Sequence, residues 1–137
     1  GQLGDGTNSL RSSPVQVVTS GVSQVKMGYR SSTFLKTDGS LWAMGYNHVG
    51  QLGDSSAINR SNPVQIQSGG VTSFARGLHS LFFIKSDNTL WASGWGGYAN
   101  LGDGHHHHRY NPFKPNLLSI ISKAFTSENE SDVIKNP

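Results

Sequence analysis

Cysteine is absent from the 137 residues, which excludes disulfides and thiolate metal sites and leaves the redox compartment open. Charge is scarce: Asp, Glu, Lys and Arg make up 14% of the chain, against about 25% in ordinary domains. That scarcity disfavours long solvent-facing helices. No apolar run approaches the roughly 18 residues of a membrane helix. No serine or cysteine nucleophile motif, phosphate-binding glycine loop or isolated carboxylate pair is visible, so the residues give catalysis and cofactor binding no support.

What the chain has in quantity is glycine, 17 residues of it, with many Ser, Thr and Asn. Gly and Asn tolerate the positive φ of tight turns, so this composition favours short strands closely joined. Three Trp, six Phe and four Tyr are too much apolar material for a disordered segment.

The glycines are periodic. GQLGDG at 1–6 returns as GQLGDS at 50–55 and as ANLGDG at 99–104. Residues 1–49 align with 50–98 without a gap and share 21 identities, among them Gly4/Gly53, Asp5/Asp54, Arg11/Arg60 and Trp42/Trp91. A third copy keeps Gly102, Asp103 and Arg109 in register, then blurs. The chain therefore divides into repeat one at 1–49, repeat two at 50–98 and a partial, degenerate repeat three at 99–137. In the last, a short helix around 117–124 competes with a decayed blade.

A period of 40 to 50 residues signals a propeller or a solenoid. PVQVV (14–18) and PVQIQ (63–67) alternate as half-buried strands do. GVSQVKMG (21–28) and GVTSFARG (70–77) are short β-rich runs. Apolar runs flank Asp38-Gly39 and Asp87-Asn88, which predicts hairpins with type I′ turns and positive φ at both central residues. Four antiparallel strands per period predict an all-β fold of propeller blades.

The phrase DGSLWAMGYNHVGQLGD, an Arg six residues past its Asp, SNPVQI, and GLHS at 77–80 together resemble the regulator of chromosome condensation repeat. The resemblance implies a seven-bladed propeller in which each sequence repeat straddles two blades. It makes this chain a segment of about two and a half repeats, with the remaining blades of the propeller outside it. It also implies that His79 is a recurrent blade residue, hydrogen-bonded near the central channel; Arg30 replaces it in repeat one.

Within that frame Gly4 and its equivalents Gly53 and Gly102 let the chain turn tightly between the outer strand of one blade and the next. Asp5, Asp54 and Asp103 are placed to accept backbone N–H bonds in that turn. Arg11, Arg60 and Arg109 lie within reach of closing each loop ionically. Trp42 and Trp91 read as inter-blade packing. Trp95, the counterpart of Tyr46, either packs or lines a ligand-binding face. His105, His106, His107 and His108 replace TNSL and SAIN of the earlier copies and could take an adventitious Zn, Ni or Cu, although consecutive residues rarely converge on one metal.

The net charge of +3 is spread over repeat positions of alternating sign, with no basic cluster interleaved with aromatics, so no specific nucleic-acid interface is indicated. Three functions remain: a non-enzymatic scaffold for protein–protein interaction, guanine-nucleotide exchange on a Ran-like small GTPase by family analogy, and a secreted or surface repeat protein that binds other cells or glycans.

Overall fold

The structure is a computed structural model that describes residues 1–115. The expectations placed on the tail of repeat three, the helix around 117–124 included, lie outside those residues.

Eight strands form two four-stranded antiparallel sheets, each with its strands in chain order. The first blade holds β1 (Val22–Gly28), β2 (Ser31–Lys36), β3 (Leu41–Gly45) and β4 (Arg60–Gln67). The second holds β5 (Val71–Arg76), β6 (Ser80–Lys85), β7 (Leu90–Gly94) and β8 (Arg109–Phe113). Both repeat boundaries, at 49/50 and 98/99, fall between a third and a fourth strand. The second 49-residue unit thus supplies the outer strand of one blade and the three inner strands of the next.

That offset explains two corrections. Residues 14–18 form no strand, despite their alternation. Their counterpart in β4 pairs with β3, whereas nothing in the chain before residue 14 supplies a third strand for them. Strand pairing, not pattern alone, satisfies an extended backbone.

The second correction moves the glycine turns. Gly53 and Asp54 lie between β3 and β4 of one blade, and Gly102 and Asp103 lie between β7 and β8, so these turns do not link one blade to the next. The link between blades is the short step at 68–70, from β4 into β5. Gly53 still needs to be glycine. Its φ is 77 and its N–H bonds Gly50 O at 3.0 Å. A β-carbon there would stand 2.7 Å from Ser93 Oγ and 3.2 Å from Pro112, both in the second blade. The turn belongs to one blade and packs on its neighbour. Gly4 and Gly102 make the same bond to the carbonyl three residues back, at 3.0 and 3.1 Å.

The hairpins are corrected too. Gly39 (φ 81) and Asn88 (φ 63) are left-handed, but Asp38 and Asp87 are not. The Gly39 N–H bonds Lys36 O at 3.0 Å and the Lys36 N–H bonds Ser40 O at 2.9 Å. This is a three-residue loop, a type I turn followed by one left-handed residue, rather than type I′. Asp38 Oδ1 accepts from the Ser40 N–H at 2.9 Å and from its hydroxyl at 2.6 Å, which holds the Asp backbone on the ordinary side of φ.

The core lies between the blades. Leu35 and Leu41 of the first meet Val71, Phe74, Leu81 and Phe83 of the second, with Ile66 and Trp91 packed alongside. Burying each such side chain contributes on the order of 1.5–3 kcal/mol. The mating faces recur with the period but are covered only once. Val71 and Phe74 are 4% and 3% exposed, while their counterparts Val22 and Val25 are 40% and 60% exposed. On the other side, Leu35 and Leu41 are 4% and 0% exposed, against 39% and 38% for Ile84 and Leu90.

Backbone bonds stitch the blades together. The Tyr29 N–H reaches Leu78 O at 2.7 Å, the Val71 N–H reaches Gly39 O at 3.0 Å, and the Ser55 N–H reaches Tyr110 O at 3.1 Å.

Candidate functional site

Antiparallel order gathers the β1–β2 and β5–β6 turns with the β3–β4 and β7–β8 loops at one end of the blades. The β2–β3 and β6–β7 hairpins occupy the other end. The first end, the loop face, carries all six histidines of the chain: His48, His79 and His105 to His108.

Each long loop is closed by an acidic turn. Asp5 Oδ1 accepts from the Thr7 N–H (3.0 Å) and hydroxyl (2.8 Å), and its Oδ2 accepts from Arg11 Nε at 2.6 Å. Asp54 repeats this with Ser56 and Arg60. Asp103 repeats it with the His105 N–H at 2.9 Å and Arg109 Nε at 2.7 Å. All three carboxyls sit below their ordinary value. For Asp5 the Thr7 hydroxyl bond acts first and Arg11 second. For Asp54 and Asp103 burial pulls upward, and the donors, the Arg guanidinium among them, outweigh it.

The middle loop has a hub that the repeat alignment hides. Asn47, fully buried, donates from Nδ2 to Asp54 Oδ1 at 2.8 Å, to Ser56 O at 3.0 Å and to Ile58 O at 3.1 Å. Its Oδ1 accepts from the Leu52 N–H at 3.0 Å. Gly96 occupies the equivalent position in the next repeat, so comparison of copies gives Asn47 no weight.

Arg76 is hidden for a similar reason, since Met27 is its counterpart. It runs from β5 between the blades and donates to Gln51 O and Ser31 Oγ of the first blade. Desolvation lowers its guanidinium to about 10, so it stays charged at neutral pH.

Next to these loops lies a hollow of about 350 Å³ lined by Tyr29, Tyr46, Val49, His79 and Trp95. Its aromatics hang from tight backbone crossings. The Tyr46 N–H bonds Arg30 O and the Trp95 N–H bonds His79 O, both at 2.8 Å. Gly45 (φ 106) and Gly94 (φ 113) precede them. A β-carbon on either glycine would collide with the Arg30 or His79 carbonyl oxygen. Tyr29 meets the His79 ring at 5.0 Å and the Tyr46 ring, edge-on, at 6.1 Å. Ring packing thus holds the His79 side chain, which makes no hydrogen bond among the described residues. Arg30 lies over the outer edge of this group, 5.2 Å from the Tyr29 ring centre.

Trp91 packs on the inter-blade core, stacked on Phe83 at 6.3 Å. Trp42 makes the same stack on Phe34, and each indole N–H bonds the hydroxyl two residues before it. The His105 and His107 rings are 6.4 Å apart. Among the described residues no three His, Cys, Asp or Glu side chains gather as a metal site requires. No described helix is long and apolar enough to cross a membrane.

Two models of the regulator of chromosome condensation (RCC1) repeat match the chain, at residues 22–51 and 38–83. The chain carries RCC1 repeats. Solved structures agree on the fold. Human WBSCR16 superposes with a TM-score of 0.68 at 19% identity over 84% of this chain. Prp20p from Saccharomyces cerevisiae, studied for its binding to Gsp1p and histones, gives 0.65 at 18% identity over 79%. Yeast RCC1 (Prp20) with Kap60 gives 0.63, also at 18% over 79%. The chain spans only 32%, 28% and 27% of those three chains. No curated protein matches it. The two sheets are RCC1-type β-propeller blades, an incomplete part of a ring.

Proposed function

We propose that this RCC1-repeat segment is a non-enzymatic scaffold that binds a protein partner through its loop face. The observation that carries the reading is the hollow of Tyr29, Tyr46, Val49, His79 and Trp95, set on backbone crossings of a rigid double blade. Aromatic side chains in a shaped depression are the usual anchors of protein recognition, and loops on rigid scaffolds carry binding. Prp20p, similar in fold, was studied with protein partners.

The test compares the full protein with a loop-face variant, Trp95→Ala, and a hairpin-face variant, Asp87→Asn, by quantitative affinity capture. Recovery of the principal partner should fall at least about tenfold for Trp95→Ala alone. Equal recovery from both would overturn the reading. Guanine-nucleotide exchange is assayed in parallel as release of labelled GDP from small GTPases. Acceleration lost with the same Trp95→Ala change would replace the passive scaffold with an exchange factor.

A further inference from the structure

The partner's chemistry follows from how charge is distributed around the hollow. The chain has five arginines. Arg11, Arg60 and Arg109 are each bound to an Asp within their own loop. Arg76 is sunk between the blades. Arg30 is the one that stands exposed with no carboxylate partner among the described residues.

The described residues hold five carboxylates. Asp5, Asp54 and Asp103 are the three on the loop face, and each is already neutralised by its Arg. Asp38 and Asp87 lie in the hairpins at the opposite end. Among the described residues the loop face therefore presents one uncompensated guanidinium and a set of imidazoles, beside an aromatic well with no acidic group in its lining. The well and a smaller recess share Tyr46, and Arg30 lines that recess with Asn8, Asn59, Ser61 and the Asp54-paired Arg60. An apolar anchor in the well would thus have a cation and hydrogen-bonding groups along its flank.

We infer that the loop face captures an acidic peptide segment, seating one apolar side chain among Tyr29, Tyr46 and Trp95 while a neighbouring carboxylate pairs with Arg30. The inference rests on the protein-binding reading of the same face and specifies the partner. Nucleic acid also stacks on aromatics, but its phosphates reward several free cations in a row. Here Arg30 stands without another free guanidinium beside it.

The experiment uses the full chain and a short fluorescein-labelled peptide of Asp and Glu with one central Leu, read by fluorescence anisotropy. Comparison probes are the same peptide with Lys for each acid, the same peptide with Ala for Leu, and labelled oligo(dT). The acidic Leu peptide should bind, and the Lys peptide should bind at least about tenfold more weakly. Arg30→Asn removes the charge, suits the left-handed backbone at that position (φ 49) and should cost about fivefold to tenfold. Trp95→Ala should abolish the advantage of Leu over Ala.

Equal binding of acidic and basic peptides, or no effect of Arg30→Asn, would overturn the inference. Tighter binding of oligo(dT) with the same dependence on Arg30 and Trp95 would replace the peptide by nucleic acid. Should the peptides fail while Trp95→Ala still reduces capture of the natural partner, the scaffold reading stands and only the partner chemistry is wrong. Arg30 is exposed, so its variant reports binding even if Trp95→Ala weakens the fold.

Discussion

Asn47 donates to Asp54 at 2.8 Å across the middle loop, and no such donor serves Asp103, because Gly96 stands where Asn47 would be. The two aspartates otherwise make the same turn and the same Arg pair. Removing Asp54 leaves Arg60 Nε and the Ser56 N–H without an acceptor and strips one partner from a fully buried amide.

The expected cost of Asp54→Ala is about 2 kcal/mol. Asp103→Ala should cost about half that, since its loop is more open and lacks the buried amide. Chemical denaturation of both variants checks this. Equal losses would show that Asn47 adds nothing to the Asp54 turn.

Acid should unfold the protein through these same groups. Asp5, Asp38, Asp54, Asp87 and Asp103 all have folded-state values below 3.8. A carboxyl depressed by folding binds its proton more readily in the unfolded chain. Its stabilising contribution is therefore complete above the ordinary value and is lost as pH falls through the folded value. The carboxylates should leave the melting temperature level down to about pH 5 and lower it steeply below about pH 4. Melting curves from pH 6 to pH 3 test this, and Asp54→Asn should flatten the decline. A midpoint indifferent to acid would mean the pairs and turns contribute nothing.

Gly94 should tolerate no side chain. A β-carbon there runs into the His79 carbonyl oxygen, and φ is 113. Gly94→Ala must push β7 away from the β5–β6 turn, breaking the Trp95 N–H to His79 O bond. A loss above about 3 kcal/mol is expected, together with a shift in tryptophan fluorescence as Trp95 leaves the hollow. Gly69, where a β-carbon would make only an ordinary contact with Asp38 O at 3.7 Å and φ is not left-handed, is the control: Gly69→Ala should leave both readouts nearly unchanged.

Arg76 offers a different contrast. Its guanidinium is desolvated with no carboxylate to pair with among the described residues, where its Nε also lacks a partner. Arg76→Met keeps the volume and installs the residue that repeat one uses at Met27. The relief of desolvation should offset the lost bonds to Gln51 and Ser31, leaving stability within about 1 kcal/mol. Arg76→Ala opens a gap between the blades and should cost about 2–3 kcal/mol. Equal losses from the two variants would show that the hydrogen bonds, not the packing, hold this place.

The blades were legible because their signals are local. Asp54 and Arg60 are six residues apart in one loop, and Phe34 and Trp42 flank one hairpin. Alternation and spacing suffice for such contacts. The Gly53 turn was legible as a turn but not in its place, because a repeat boundary drawn on sequence falls inside a blade. The meeting of Tyr29 with His79 was not legible, because it depends on how one blade leans on the next, and the period is silent on that. Asn47 and Arg76 escaped because comparing copies gives weight to sameness, and both do their work where the copies differ. The strand expected at 14–18 failed for the complementary reason: its pattern is right, but a fourth strand forms only against a third.

Leu35 and Leu41 of one blade pack on Val71 and Phe74 of the next, and that pairing of unlike faces gives the two blades a direction. Each blade has a plug on its leading side and a socket on its trailing side, and the two differ. Blades of this kind can be joined in only one sense, like bricks with studs on one side. Lengthening such an array by duplicating a 49-residue unit calls for no new interface, since the added plug meets a socket that already exists. Stability then grows by one blade and one junction at a time.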